Sequence, residues 1–303
     1  MFINKQKGLE NKDMSEGRDL QYYLDLTRDF KSSFPPFNVK EVGGFFVIDE
    51  SVSNPVGAKA RFGELLVRSM KEREMVYVQP RRGYAGISLS YLGKKFGKDL
   101  TLIMPASKEA SEHQRLCIDL GARALFTRVA AMPNANATAK KWAEATGSAF
   151  IPLGLQHELV TACGVRCVWE FFKNREKPKR MWCVISTGVL SRILQIALPD
   201  TEIINVAVAR NIQQGELGRA KFWAYHKPFE AKSDLIPTAF NCEESYDAKG
   251  WDYMNRYGEQ GDWFFSVAGN APKATIQPKE VDSYRDWNDA RDIKNNIPNV
   301  DKR

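Results

Sequence analysis

The chain has 303 residues, 43% hydrophobic and 27% charged, with a formal net charge of +7. That size buries one large core or two modest ones, and the positive excess favours anionic ligands without fixing a fold. No stretch approaches the roughly 18–20 continuous apolar residues of a membrane span, and the polar first residues lack the apolar core of a secretory signal. The five cysteines (Cys117, Cys163, Cys167, Cys183 and Cys242) are scattered and odd in number, which points to a reducing cytoplasm rather than a disulfide framework. Cys163 and Cys167 lie in C-x3-C spacing without a second pair, as two small residues on one helix face do, so no metal site is expected. The basic residues form no block interleaved with aromatics; nucleic-acid binding stays open but is not indicated.

In chain order, residues 1–40 are polar, with an amphipathic patch at LQYYLDLTRDF before Pro35-Pro36 breaks the chain. From there the pattern alternates. GGFFVIDE is strand-like, and KARFGELLVRSMKE spaces Phe62, Leu65, Leu66 and Met70 at a helical period. MVYVQP is a strand and GISLSYLGKKFG a helix ended by Gly97. DLTLIMP, ARALFTR and SAFIP read as strands. The run SKEASEHQRLCIDLG reads as a helix opening at Ser107, and NATAKKWAEATG as another. ELVTACGVRCVWEFFKN is a helix, RMWCVIS a strand, GVLSRILQIAL a helix and TEIINVAVA a strand. After about residue 211 the alternation fades into an irregular excursion, with DWFFSVAGN as a last strand and turn. Trp142, Trp169 and Trp182 read as core aromatics. Repeated βα units with short joints predict an α/β fold of parallel sheets with helices on both faces, ligands lying at the carboxyl ends of the strands.

Three joints then stand out. Asn54-Pro55-Val56-Gly57-Ala58-Lys59-Ala60-Arg61-Phe62-Gly63 places a lysine at a helix start behind an apolar strand. One βα unit later comes Arg81-Arg82-Gly83-Tyr84-Ala85-Gly86, followed by LGKKFG, LIMP and LGARALF; further on, VISTGVLSRILQ runs a strand into a loop and helix. In this order and spacing the motifs resemble the tryptophan synthase β-like family, the fold-type II pyridoxal-phosphate enzymes, over roughly residues 43–210. The resemblance implies a two-lobed fold and pyridoxal 5'-phosphate as cofactor. It implies that Lys59 bonds to the cofactor and then serves as base and acid at the substrate Cα. It also implies that Ser186, Thr187, Gly188, Val189, Leu190 and Ser191 bind the phosphate, that Ser266 faces the ring nitrogen, and that Arg81, Arg82, Gly83, Tyr84, Ala85 and Gly86 bind substrate. It suggests a homodimer.

The departures from the family pattern matter as much. The substrate turn has lost the family's Ser and Asn and carries Arg82 and Tyr84 instead. Tyr84 is read either as a partner of the cofactor ring or as a packed aromatic. Only Gly188 remains of a phosphate loop usually rich in glycine, so hydroxyls of Ser186, Thr187 and Ser191 would have to supplement its backbone N–H groups. Lys59 attacks only as a neutral amine, which requires burial and a neighbouring cation such as Arg61 to lower its pKa. Arg81 and Arg82 read either as surface residues or as a fork for a carboxylate or phosphate.

The expected organisation is a polar segment 1–40, a large cofactor lobe of 41–74 plus 151–285, a small substrate-side lobe of 75–150 and a polar tail 286–303. The expected function is that of a cytoplasmic pyridoxal-phosphate-dependent lyase or transferase acting at Cα or Cβ of an amino acid or amino-bearing anionic substrate, nucleotide-linked substrates included. The alternatives are an inactive relative retained for binding or assembly, and a nucleotide-binding α/β enzyme without the cofactor.

Overall fold

A computed structural model of the chain describes residues 18–127, 132–209 and 217–281; the expected tail 286–303 and the first 17 residues of the polar segment lie outside them. Over the described residues the chain divides into two compact units, one of residues 18–62 and 158–270, the other of residues 63–157 and 271–281. The boundaries differ from the expected ones at both ends of the second unit, for visible reasons. Lys98 donates to the carbonyls of Met70 (2.7 Å) and Glu72 (2.8 Å), tying residues 63–74 to that unit. Asp119 accepts from the Ile276 N–H at 3.1 Å and Arg115 donates to the Ile276 carbonyl at 2.8 Å, which ties residues beyond 270 to it as well.

Unit one is built on a six-stranded sheet. Its strands are β1 (Val39–Val42), β2 (Phe45–Asp49), β7 (Arg180–Ile185), β8 (Glu202–Ala207), β9 (Lys221–Ala224) and β10 (Trp263–Ser266), in the order β1-β2-β10-β7-β8-β9. All neighbours are parallel except β1, which runs antiparallel to β2. That hairpin corrects the all-parallel expectation: Gly43 and Gly44 have φ of 59° and 81°, as a two-residue hairpin turn requires. FFVI and WCVI are continuous apolar runs because strands covered on both faces have no polar side to show. The core joins Val47, Trp182, Val184, Val206 and Phe264 to Trp251 and Met254.

Besides β1 and a short helix at Glu50–Ser53, two elements of unit one were not foreseen. β9 gives the supposed excursion a strand that pairs with β8. Helix α9 (Asp247–Tyr257) was hidden because Asp247, Lys249 and Asp252 are all fully buried, which breaks the apolar period. Gly250 brings this helix against the sheet: a Cβ there would lie 2.4 Å from Val184 Cγ2 and 2.9 Å from Phe264 Cε2. Gly250→Ala is therefore expected to destabilise unit one by about 1–3 kcal/mol, read as a lowered denaturation midpoint. Trp169 also departs from the core reading. It is half-buried on α7 (Glu158–Phe172), its ring flanked by Arg166 at 5.6 Å and Lys173 at 5.2 Å.

Unit two holds a parallel four-stranded sheet in the order β5-β4-β3-β6: β3 (Glu74–Val78), β4 (Asp99–Pro105), β5 (Arg123–Thr127) and β6 (Ala149–Phe150). Helix α6 (Met132–Thr146) packs Ala135, Ala139 and Ala143 on Val76, Val78 and Ile103. Helix α4 (Ala85–Phe96) ends on Gly97 in the left-handed region, as expected. Helix α5 (Glu112–Asp119) opens later than expected, at Ser111, because Ser111 and Gln114 form a reciprocal capping box. The α/β class and its mostly parallel sheets are thus as expected.

Candidate active site

The motif lysine stands in the first turn of α3 (Ala58–Ser69), and the loop before it is folded by one asparagine. Asn54, 1% exposed, donates from Nδ2 to the Gly57 carbonyl at 2.8 Å and accepts the Val56 N–H at 3.3 Å. Gly57 has φ of +82°, a conformation glycine adopts cheaply. The helix start is then fastened to the sheet, since the Ala58 N–H donates to the Val267 carbonyl at 2.8 Å. Lys59 therefore lies beside the carboxyl end of β10, whose last residue is Ser266.

Three polar groups gather there, each with an atom that has no hydrogen-bond partner. Lys59 is half-buried, and among the described residues its ammonium makes no hydrogen bond or ion pair. Burial pushes its pKa below the ordinary lysine range, and the Asp247 carboxyl pulls it partly back. Ser266 is fully buried with an unpaired Oγ. Asp247, the first residue of α9, accepts the Val267 and Ala268 N–H groups on Oδ2 at 3.0 and 3.1 Å, while its buried Oδ1 has no partner. Burial raises the Asp247 carboxyl well above the usual carboxylate range, against those two hydrogen bonds.

Asp247 was missed in the sequence because nothing there marks its helix. Its charge yields a signed expectation. Asp247→Asn keeps an acceptor for the two backbone N–H groups but removes the influence that raises the Lys59 pKa. The pH midpoint of Lys59 reactivity toward trinitrobenzenesulfonate should fall, and a fall of about one unit makes the amine about tenfold more reactive below its midpoint. Linkage gives a second readout. A carboxyl raised by folding contributes stability that is lost as pH rises through its folded pKa, so the Asn variant should lose less stability on alkalinisation.

Arg61 does not serve as the cation that depresses Lys59. Its guanidinium is held by Glu50, Nε to Oε1 at 2.7 Å and Nη2 to Oε2 at 3.1 Å. The depression of Lys59 comes from burial alone.

The loop from β7 into α8 (Val189–Ala197) carries the predicted phosphate residues. Gly188 stands at the helix N-cap with φ of +81° and ψ of −2°, and a Cβ there would lie 2.6 Å from Leu217 Cδ2. Ser186, Thr187 and Leu190 are half-buried and Val189 is buried. Tyr246 donates to Ser186 Oγ at 3.5 Å. Ser191 is turned inward, its Oγ accepting from Gln195 Nε2 at 3.0 Å and Asn205 Nδ2 at 2.9 Å.

In unit two, the turn Arg81–Gly86 is organised by Gln79, a residue the sequence did not mark. Fully buried, Gln79 donates from Nε2 to the carbonyls of Pro80 and Gly83, both at 3.0 Å, and accepts the Gly86 N–H at 2.9 Å. Gly86 has no room for a side chain, since a Cβ would lie 2.2 Å from Gln79 Oε1; Ala85 is buried behind it and Gly83 has φ of +131°. Arg81 is exposed, and its guanidinium is tied to the Ser107 hydroxyl and, at 3.2 Å, to the Glu109 carbonyl. It is held as a surface strut. Arg82 and Tyr84 are half-buried, and the Tyr84 ring meets the edge of His113 at 5.6 Å. Cys163, expected on a helix face, is buried on α7 and donates its thiol to the Arg61 carbonyl at 3.2 Å.

No protein-family model matches the chain, and no curated protein does. Solved structures do. An ACC deaminase homologue superposes with a TM-score of 0.70 at 15% identity, over 82% of this chain and 95% of that one. Threonine deaminase isoform 2 from Solanum lycopersicum gives 0.64 at 10% identity, over 90% and 93%. A pyridoxal 5'-phosphate-dependent aspartate racemase gives 0.63 at 12% identity, over 84% and 95%. The chain therefore has the fold of the fold-type II pyridoxal-phosphate enzymes. The resemblance read from its motifs and the observed architecture agree. Among the described residues no helix is long and apolar enough to cross a membrane.

Proposed function

We propose that the chain is a pyridoxal-phosphate-dependent enzyme, a lyase or transferase acting at Cα or Cβ of an amino acid or an amino-bearing anionic substrate. The observation that carries this is the gathering of an unpaired Lys59 amine, an orphaned Ser266 hydroxyl and an orphaned Asp247 oxygen at the carboxyl end of β10. Buried polar atoms are normally hydrogen-bonded, and several left open together mark a place for a polar ligand. The residues fit the cofactor: an amine to bond its aldehyde, a hydroxyl for its ring nitrogen, and a helix start with N–H groups suited to its phosphate.

In this reading the N–H groups at the start of α8, with Gly188, Ser186 and Thr187, hold the phosphate. Ser191 supports the loop from inside through Gln195 and Asn205. Bound there, pyridoxal phosphate would supply an electron sink for negative charge developing at the substrate Cα. Lys59 holds the cofactor and moves the proton at Cα, a task that a lowered pKa favours. The turn Arg81–Gly86 is the segment proposed to take the substrate, and Arg81, tied to Ser107 and the Glu109 carbonyl, is not its anion partner. The neighbours' names, a deaminase homologue, a deaminase and a racemase, support amino-acid chemistry without choosing among reactions. The test is to incubate the protein with pyridoxal phosphate, reduce with borohydride and locate the modified lysine by peptide mapping. A modified Lys59 supports the reading; its absence favours the inactive relative.

A further inference from the structure

Residues 34–37 belong to the segment read from sequence as polar, yet they close over the interior of unit one. Arg61 is 2% exposed and all three of its nitrogens are engaged. Two make the fork with Glu50, and Nη1 donates to the Pro35 carbonyl at 2.7 Å. The guanidinium carbon lies 4.4 Å from the centre of the Phe37 ring and 5.6 Å from that of Phe34. Phe37 is anchored edge-on to Phe265 of β10 at 5.4 Å and to Phe171 at 5.5 Å. Ser53 fastens the same segment from the other side, accepting the Asn38 N–H at 3.0 Å and donating to the Pro36 carbonyl at 3.1 Å.

The other arm of the network leads to the lysine. Glu50 Oε1, besides accepting from Arg61, accepts from Asn54 Nδ2 at 3.4 Å, and Asn54 folds the loop into Gly57. Lys59 thus lies between two fixed points, Gly57 on one side and Arg61 on the other. Residues two apart on a helix point to nearly opposite faces, so Arg61 cannot act on Lys59 by contact. It acts through the backbone.

We propose that Arg61, sealed by residues 34–37, is the positioning residue for Lys59: it holds the first turn of α3 so that the amine stays in its buried setting beside β10. This rests on the assignment of Lys59 as the reactive amine. A lysine would keep the charge of Arg61 but not the planar fork that reaches Glu50 twice and Pro35 once. Loosening that fork lets Lys59 swing toward water, and a better-solvated amine titrates higher.

The experiment measures the pH profile of Lys59 modification by trinitrobenzenesulfonate in the full chain, with peptide mapping and exposed Lys71 as internal reference. In Arg61→Lys, with the circular dichroism of the wild type retained, the Lys59 midpoint should move up. A shift of about one unit lowers the rate about tenfold below the midpoint. Ser53→Ala should shift it the same way by less. The reference Lys71 should not move in either variant, which separates positioning from general loosening. A folded Arg61→Lys variant with the wild-type Lys59 profile overturns the proposal. Should Arg61→Lys fail to fold, the Ser53→Ala profile decides in the same manner, an upward shift supporting the proposal and an unchanged midpoint overturning it. The reagent needs no cofactor, so a chain that never takes pyridoxal phosphate refutes the proposed function and leaves this result readable.

Discussion

Lys59→Ala is expected to abolish the borohydride-stable pyridoxal label, while the wild type carries it on that residue. An ordinary lysine with a pKa near 10.4 is neutral in only about one molecule in two to three thousand at neutral pH, and each unit of depression multiplies that fraction about tenfold. Burial depresses Lys59, so it starts with an advantage over solvated lysines before geometry is considered. Two other lysines with buried or half-buried settings are already engaged. Lys249 donates to the Pro228 carbonyl at 2.7 Å and the Phe229 carbonyl at 3.1 Å, and Lys40 pairs with Asp49 at 2.8 Å. A visible absorbance band on adding pyridoxal phosphate, present in the wild type and missing in Lys59→Ala, is the matching spectroscopic result. Label spread over surface lysines and unchanged in Lys59→Ala would sink the enzyme reading.

The lysine turn was legible in the sequence because its parts are local. Asn54, Gly57 and Lys59 lie within six residues of one another, and each does its work through neighbours in the chain. Of the residues that complete the setting, Ser266 was named only through the resemblance and Asp247 was not legible, because both arrive from far away. Asp247 is nearly two hundred positions downstream, on a helix whose buried charges disguise its period. Ser266 ends a strand that inserts between β2 and β7, a place in the sheet that chain order does not announce. Gln79 looked like an ordinary strand end, and only its three hydrogen bonds show that it shapes the turn that follows. Arg61 was misread in the opposite way. Its nearness to Lys59 in sequence suggested an electrostatic role, whereas Glu50 and the chain at Pro35 claim all its nitrogens.

Glu50→Ala is expected to destabilise unit one by about 3–5 kcal/mol, measured by chemical denaturation, because it leaves the Arg61 guanidinium buried without its anion. The figure reflects the orphaned charge rather than the net worth of the pair. Burial pushes the Glu50 carboxyl above its ordinary range and the Arg61 guanidinium pulls only part of that back, so forming the pair inside the protein is itself opposed by desolvation. Replacing both partners by apolar residues, Glu50→Leu with Arg61→Met, should therefore destabilise much less than Glu50→Ala alone. A double variant as unstable as the single one would show instead that the hydrogen bonds to Asn54 and Pro35 carry the loss. The double variant also separates stability from placement. It removes the buried charges but cannot rebuild the fork that links residues 34–37 to the first turn of α3. If Arg61 positions Lys59, this variant recovers its denaturation midpoint while the Lys59 amine still titrates high and takes the pyridoxal label slowly. Recovery of both together would mean that any well-packed residue at position 61 places the lysine as well as arginine does.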